Sequence, residues 1–93
     1  MAEIPHVQNP VIDYGKANDW LVRRVQWIGR TGAPDTLFMK GGVSLWIEFK
    51  DEGKEPTIQQ EREHARMRRA GLLVFVIDNV EAGTRLLDRH DPT

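Results

Sequence analysis

The chain has 93 residues, of which 40% are hydrophobic and 29% charged, and a net charge of −1. That is an ordinary composition for one small globular domain spanning 1–93, with a core thin enough to favour a homodimer sharing a second core. Cysteine is absent, which excludes a disulfide framework, a thiol nucleophile and a cysteine zinc site, and fits a reducing cytoplasm. No apolar run approaches the ~18–20 residues a membrane span needs, and MAEIPHVQNP lacks the apolar centre of a signal peptide. A pI near 6.3 argues by itself against a nucleic-acid binder, which is often basic overall. The local distribution matters more: Arg23, Arg24 and Arg30 share one segment, and Arg62, Arg66, Arg68 and Arg69 another.

In chain order, residues 1–9 read as an irregular arm. Asn9-Pro10 then predicts a helix of about 10–17, with Asn9 as cap and Pro10 in the first helical position, although Gly15 weakens it. Residues 20–28 (WLVRRVQWI) suit a strand, and the turn-rich GRTGAP follows. Residues 35–39 predict a second strand, Lys40-Gly41-Gly42 a hairpin turn, and 43–50 (VSLWIEFK) a third strand. In that third strand Leu45, Ile47 and Phe49 alternate with Trp46, Glu48 and Lys50. A polar loop leads to a helix of 58–70, capped by Thr57 with Gln60 three residues on and ended by Gly71. LLVFVID (72–78) is a buried strand, and Asn79 caps a last helix of about 80–89. The order helix, three strands, helix, strand, helix is α/β: a small mixed sheet with flanking helices, its last strand joined through a crossover.

Chemistry concentrates on the hairpin. Glu48 and Lys50 lie two apart and leave one face of the strand. Spacing alone describes a solvated face with a weak ion pair. Asp35 alters that reading, because Pro34 cannot donate to a ladder and the strand therefore begins at or near Asp35. Counting back from the turn puts Asp35 opposite the stretch Leu45 to Glu48. Two carboxylates so close repel unless a cation lies between them, and hard oxygen donors suit Mg²⁺ or Mn²⁺.

Gly32-Ala33-Pro34-Asp35, then Glu48-Phe49-Lys50, then Gln60, closely resembles the VRR-NUC branch of the PD-(D/E)xK nucleases. The resemblance continues through Arg62-Glu63-His64, Arg66-Met67-Arg68 and Ala70-Gly71 into VFVID, covering about residues 21–80. Stand-alone chains this short resemble those of bacteriophages and prophages, which implies the cytoplasm of a bacterial host. The resemblance implies a restriction-endonuclease-like core and a Mg²⁺- or Mn²⁺-dependent DNA endonuclease leaving 5′-phosphate and 3′-hydroxyl ends. In it Asp35, Glu48 and the main-chain carbonyl of Phe49 would bind metal. Lys50 would orient or deprotonate the attacking water and neutralise phosphate charge, and Gln60 would position water, metal or phosphate. Similarity to four-way-junction resolvases implies a homodimer and branched DNA. Family members usually carry a Glu on the first helix. Here that helix offers Asp13 and no Glu; Gln8 and Asn9 sit near the expected position, Glu3 is the favoured substitute, and Asp13 comes after it.

Other candidates have plainer readings. Gln60 also completes a capping box with Thr57. His6, His64 and His90 lack paired ligand spacing and read as surface histidines. Trp20, Trp27 and Trp46 read as core or interface residues. Arg62, Arg66 and Arg69 share one helix face, ordinarily a solvated one. Arg23, Arg24, Arg30, Lys40 and Lys54 flank the acidic pair and are the better candidates for phosphate contact. Two alternatives stay open: a non-catalytic nucleic-acid-binding or scaffold module that keeps the fold, and an accessory protein acting through protein contacts alone.

Overall fold

The chain folds, in a computed structural model that describes residues 6–93, into the expected order of elements. These are α1 (Gln8–Ala17), β1 (Leu21–Arg24), β2 (Thr36–Lys40), β3 (Val43–Phe49), α2 (Ile58–Arg69), β4 (Leu73–Ile77) and α3 (Val80–His90). The strands form one mixed sheet in the order β1-β2-β3-β4; the first three are antiparallel, and β4 returns parallel to β3 after α2.

Register is set at the β2–β3 turn. Gly41 and Gly42 have φ of +53° and +88°, the left-handed values of a two-residue turn whose twist matches the strands it joins. Lys40 therefore pairs with Val43, and the ladder runs back to Thr36 against Ile47. Alternation along β3 then sends Leu45 and Ile47 into a fully buried core with Phe38, Val11 and Leu87, under α1 and α3. The two helices cross closely: a Cβ on Gly83 would stand 2.5 Å from Val11 Cγ2. Gly15 lies almost as close to the Phe38 ring, which accounts for a glycine inside α1 despite its poor helix propensity.

α2 covers the opposite face, where Met67 and Val74 are buried and the Arg68 guanidinium donates twice to the Val74 carbonyl, at 3.1 and 2.8 Å. Its start is the expected capping box: the Gln60 N–H donates to Thr57 Oγ1 and the Thr57 N–H to Gln60 Oε1. Its end is closed by the Gly71 and Leu72 N–H groups, which donate to the carbonyls of Arg68 and Met67.

Two boundaries differ from the sequence reading by more than one residue. β1 stops at Arg24 instead of running to residue 28. The Val25 N–H still donates to the Asp35 carbonyl at 2.8 Å, but the next partner along is Pro34, which has no N–H to continue the ladder. Ile28 consequently lies in a loop, 96% exposed. α1 begins at Gln8, with Val7 and not Asn9 in the cap position and no side-chain cap. Burial of Val7 and Val11 against the core fixes this start, and Pro10 is tolerated because the first turn's N–H groups have no helical acceptor.

Candidate active site

The β2–β3 register, carried one residue past Thr36–Ile47, brings Asp35 opposite Glu48. Both line a cleft of about 430 Å³ that also takes in Gln8, Arg24, Lys50 and Gln60. Lys50 follows the end of β3 with its backbone fixed, since its N–H donates to the Ile77 carbonyl at 2.9 Å and extends the parallel ladder. Asp35, Glu48, Lys50 and Gln60, four residues from three segments, thus share one cavity.

Asp35 is held by its neighbours. The hydroxyl of Thr36, fully buried, donates to Asp35 Oδ1 at 3.0 Å and accepts from Gln8 Nε2 at 2.9 Å, so the first helix reaches the carboxylate through one hydroxyl. Arg24 faces the other oxygen at 3.4 Å, in a pair whose side chains are 58% and 51% exposed and which is therefore weak. The loop before Asp35 is pinned at three points. Trp27 Nε1 donates to the Pro34 carbonyl at 2.8 Å while its ring packs on Trp46, centroids 5.1 Å apart. Arg30 pairs with the buried carboxylate of Glu63 on α2 at 3.5 Å, a group that Arg66 also holds at 3.0 Å. Gly32, at φ +86°, lies so near α2 that a Cβ would stand 2.8 Å from the Gln59 carbonyl oxygen. The loop carrying Asp35 and the helix start carrying Gln60 are thereby locked together.

Glu48 is mostly buried, with its side chain 13% exposed, and the imidazole Nε2 of His64 stands 3.5 Å from its Oε1. The expectation of a surface His64 is overturned: the residue is 1% exposed. It follows Gln60 by four positions, so both occupy the α2 face that looks onto the sheet. Burial, followed by the nearby cations Arg68 and Lys50, pushes the His64 pKa below its ordinary value and keeps the ring neutral.

The remaining candidates divide. Arg24 and Lys54 line the cleft. The loop bearing Lys54 is tied to the end of β4 by the Gly53 N–H donating to Asp78, a contact that, with the Asn79 side chain, holds the Asp78 carboxyl below the usual carboxylate range. Arg23 is exposed on β1, with Nη1 donating to the Val22 carbonyl. Arg30 is half exposed but engaged with Glu63. Lys40 is at the far end of β2 from Asp35, about 17 Å along the strand; its ammonium is committed to Asp91 at 2.9 Å and to the Asn18 carbonyl. The structure does not bring Lys40 to the cleft. Glu3 lies outside the described residues, and Asp13 is exposed on α1, not part of the cleft wall. The first-helix side chain that does reach the wall is Gln8.

Among the described residues no group of three or more His, Asp or Glu gathers in a way that could hold a metal. Asp35 and Glu48, which face each other in a polar cleft that Asp51 and Glu55 also line, nevertheless fit a hard cation such as Mg²⁺, which commonly takes one or two protein carboxylates and completes its shell with water and phosphate. Gln60 Oε1 is engaged by the Thr57 N–H, so its Nε2 is the group left to act in the cleft. Sequence reasoning did not single out Thr36, and it placed Glu63 within the resemblance without giving it the role of pinning the loop. A threonine directly after the aspartate, on the inward side of β2, was the one available sign.

A solved structure described as "VRR_NUC domain" matches with a TM-score of 0.81 at 36% identity, covering 90% of this chain and 92% of that one. A protein of Acyrthosiphon pisum secondary endosymbiont phage 1 named "Putative nuclease p44" is 39% identical over 59 residues, 62% of this chain and 63% of its own length. That match leaves more than a third of the phage protein uncovered. No protein-family model matches the sequence.

Proposed function

The chain belongs to the VRR_NUC domain family, and from that premise we propose that it is a nuclease that hydrolyses DNA phosphodiester bonds with Mg²⁺ or Mn²⁺. The observation that carries the proposal is the meeting of Asp35, Glu48, Lys50 and Gln60 on one cleft wall. Asp35, Glu48 and the main-chain carbonyl of Phe49 would hold the cation. Bound there, a divalent cation would supply Lewis acidity toward the attacking water and the phosphate. Lys50 would orient that water, and its ammonium would offset charge developing on the phosphate. Gln60 positions water or phosphate through Nε2. Arg24 and Lys54, on the cleft wall, contact the DNA backbone, with Arg23 nearby on β1.

The same proposal extends to a homodimer, single-domain in each copy, that presents two clefts to branched DNA inside a bacterial host. The thin core of so short a chain supports self-association. No described helix is long and apolar enough to cross a membrane. Nicking of supercoiled plasmid and of a four-way junction, with Mg²⁺, Mn²⁺ or EDTA, tests the reading on wild type and Lys50→Ala. Metal-dependent cutting that Lys50→Ala abolishes is expected. Folded wild type that cuts nothing with either metal would leave a binding module in place of an enzyme.

A further inference from the structure

We infer that His64 is a positioning residue for the nuclease site: its imidazole Nε2–H, lodged behind Glu48, aims that carboxylate into the cleft. The inference rests on the reading of Glu48 as a metal-holding group. Three observations carry it. His64 Nε2 is buried and makes no hydrogen bond at ordinary distance. A carboxylate oxygen of Glu48 lies 3.5 Å away, within a small rotation of a normal hydrogen bond. Glu48 lines the cleft while His64, buried on α2, does not, so the imidazole can act on the reaction only through the carboxylate.

A buried donor nitrogen is costly when unpaired, and histidine could be replaced by an apolar residue if packing were its whole purpose. A donor behind a metal-binding carboxylate selects one rotamer of it and restrains its swing, which is how outer-shell partners usually act. Gln60 and His64, one helical turn apart, would then serve one site from one helix face. The first lines the cleft; the second stands behind its wall.

The test uses the full chain. Mn²⁺ binding is measured by calorimetry for wild type, Asp35→Asn, His64→Gln and His64→Leu, alongside kcat and KM for nicking of supercoiled plasmid. Wild type is expected to bind Mn²⁺ and Asp35→Asn to lose it. Folded His64→Leu is expected to bind Mn²⁺ about 10-fold or more weakly and to lose kcat with KM for DNA unchanged, while His64→Gln, which keeps a donor, recovers part of both. Leu and Gln variants that both match wild type, or that fall equally, overturn the inference and leave the nuclease reading standing. Wild type that neither binds Mn²⁺ nor cuts overturns both.

A second measurement covers a His64→Leu protein that fails to fold. The ¹⁵N spectrum of the wild-type imidazole should show the proton on Nε2, with a resonance that moves on adding Mg²⁺ and stays fixed in Glu48→Gln. A proton on Nδ1, or no response to Mg²⁺, overturns the inference.

Discussion

Thr36→Val tests whether Asp35 is held from behind. Valine has nearly the shape of threonine, so the fully buried site stays filled. What disappears is one hydroxyl that donates to Asp35 at 3.0 Å and accepts from Gln8 at 2.9 Å. A neutral hydrogen bond contributes about 1 kcal/mol net, and one to a charged acceptor somewhat more. Asp35 is half exposed, so water recovers much of the second bond. The sum is about 1.5 kcal/mol, or roughly 6–12 °C in Tm for a domain of this length. Freeing the carboxylate should also weaken Mn²⁺ binding about 10-fold, the lower end of what losing an outer-shell partner costs. Urea unfolding and calorimetry read the two effects separately. Gln8→Ala in the Thr36→Val background should add little, because both variants break the same chain of bonds. A Tm within about 2 °C of wild type together with unchanged Mn²⁺ affinity would refute the reasoning.

Three further perturbations probe the surroundings. Gly83→Ala places a Cβ 2.5 Å from Val11 Cγ2 and should cost about 1–3 kcal/mol by separating α1 from α3, readable in a urea midpoint. The Asp91 carboxyl, held down to about 2 by Thr93 and then Lys40, has a folded pKa below its unfolded value of 3.8. Its contribution is therefore present above pH 3.8 and is lost as pH falls toward 2; Asp91→Asn should lower stability at pH 7 and match wild type near pH 2. Arg24→Ala combined with Lys54→Ala should reduce the salt slope of DNA binding by roughly 2, one phosphate for each, in fluorescence anisotropy. A slope equal to wild type's would place the backbone contacts elsewhere.

The parts of the site legible in the sequence were those governed by local rules. Glycine at 41 and 42 fixes a two-residue turn, the turn fixes register, and register alone predicts Asp35 near Glu48. The capping box at Thr57 and Gln60 is equally local, a four-residue pattern complete in itself. The failures have a common cause, which is packing between segments distant in the chain. β1 looked long because its residues favour a strand, yet the length of a strand depends on its partner, and Pro34 ends the partner ladder. His64 looked like a surface histidine because a lone histidine carries no period. Only the placement of α2 over the face bearing Glu48 shows it to be buried. The helix start followed the buried valines instead of the cap chemistry of Asn9.

Gln8 joins these two levels, since its position follows from packing and its chemistry is written in the sequence. It is the α1 side chain on the cleft wall, and as an amide it can donate to Thr36 where a carboxylate could not. Gln8→Glu would put a third carboxylate beside Asp35 and Glu48. Without metal these repel, and the single Thr36 hydrogen must serve either the introduced carboxylate or Asp35, so the apo protein should melt earlier than wild type. With metal the repulsion becomes attraction and one more oxygen ligand is available. Saturating Mn²⁺ should therefore raise Tm by more in the variant than in wild type, since stabilisation by a ligand grows with its affinity for the folded state. Equal Mn²⁺-induced shifts in the two proteins would mean that position 8, though on the wall of the cleft, does not face the cation.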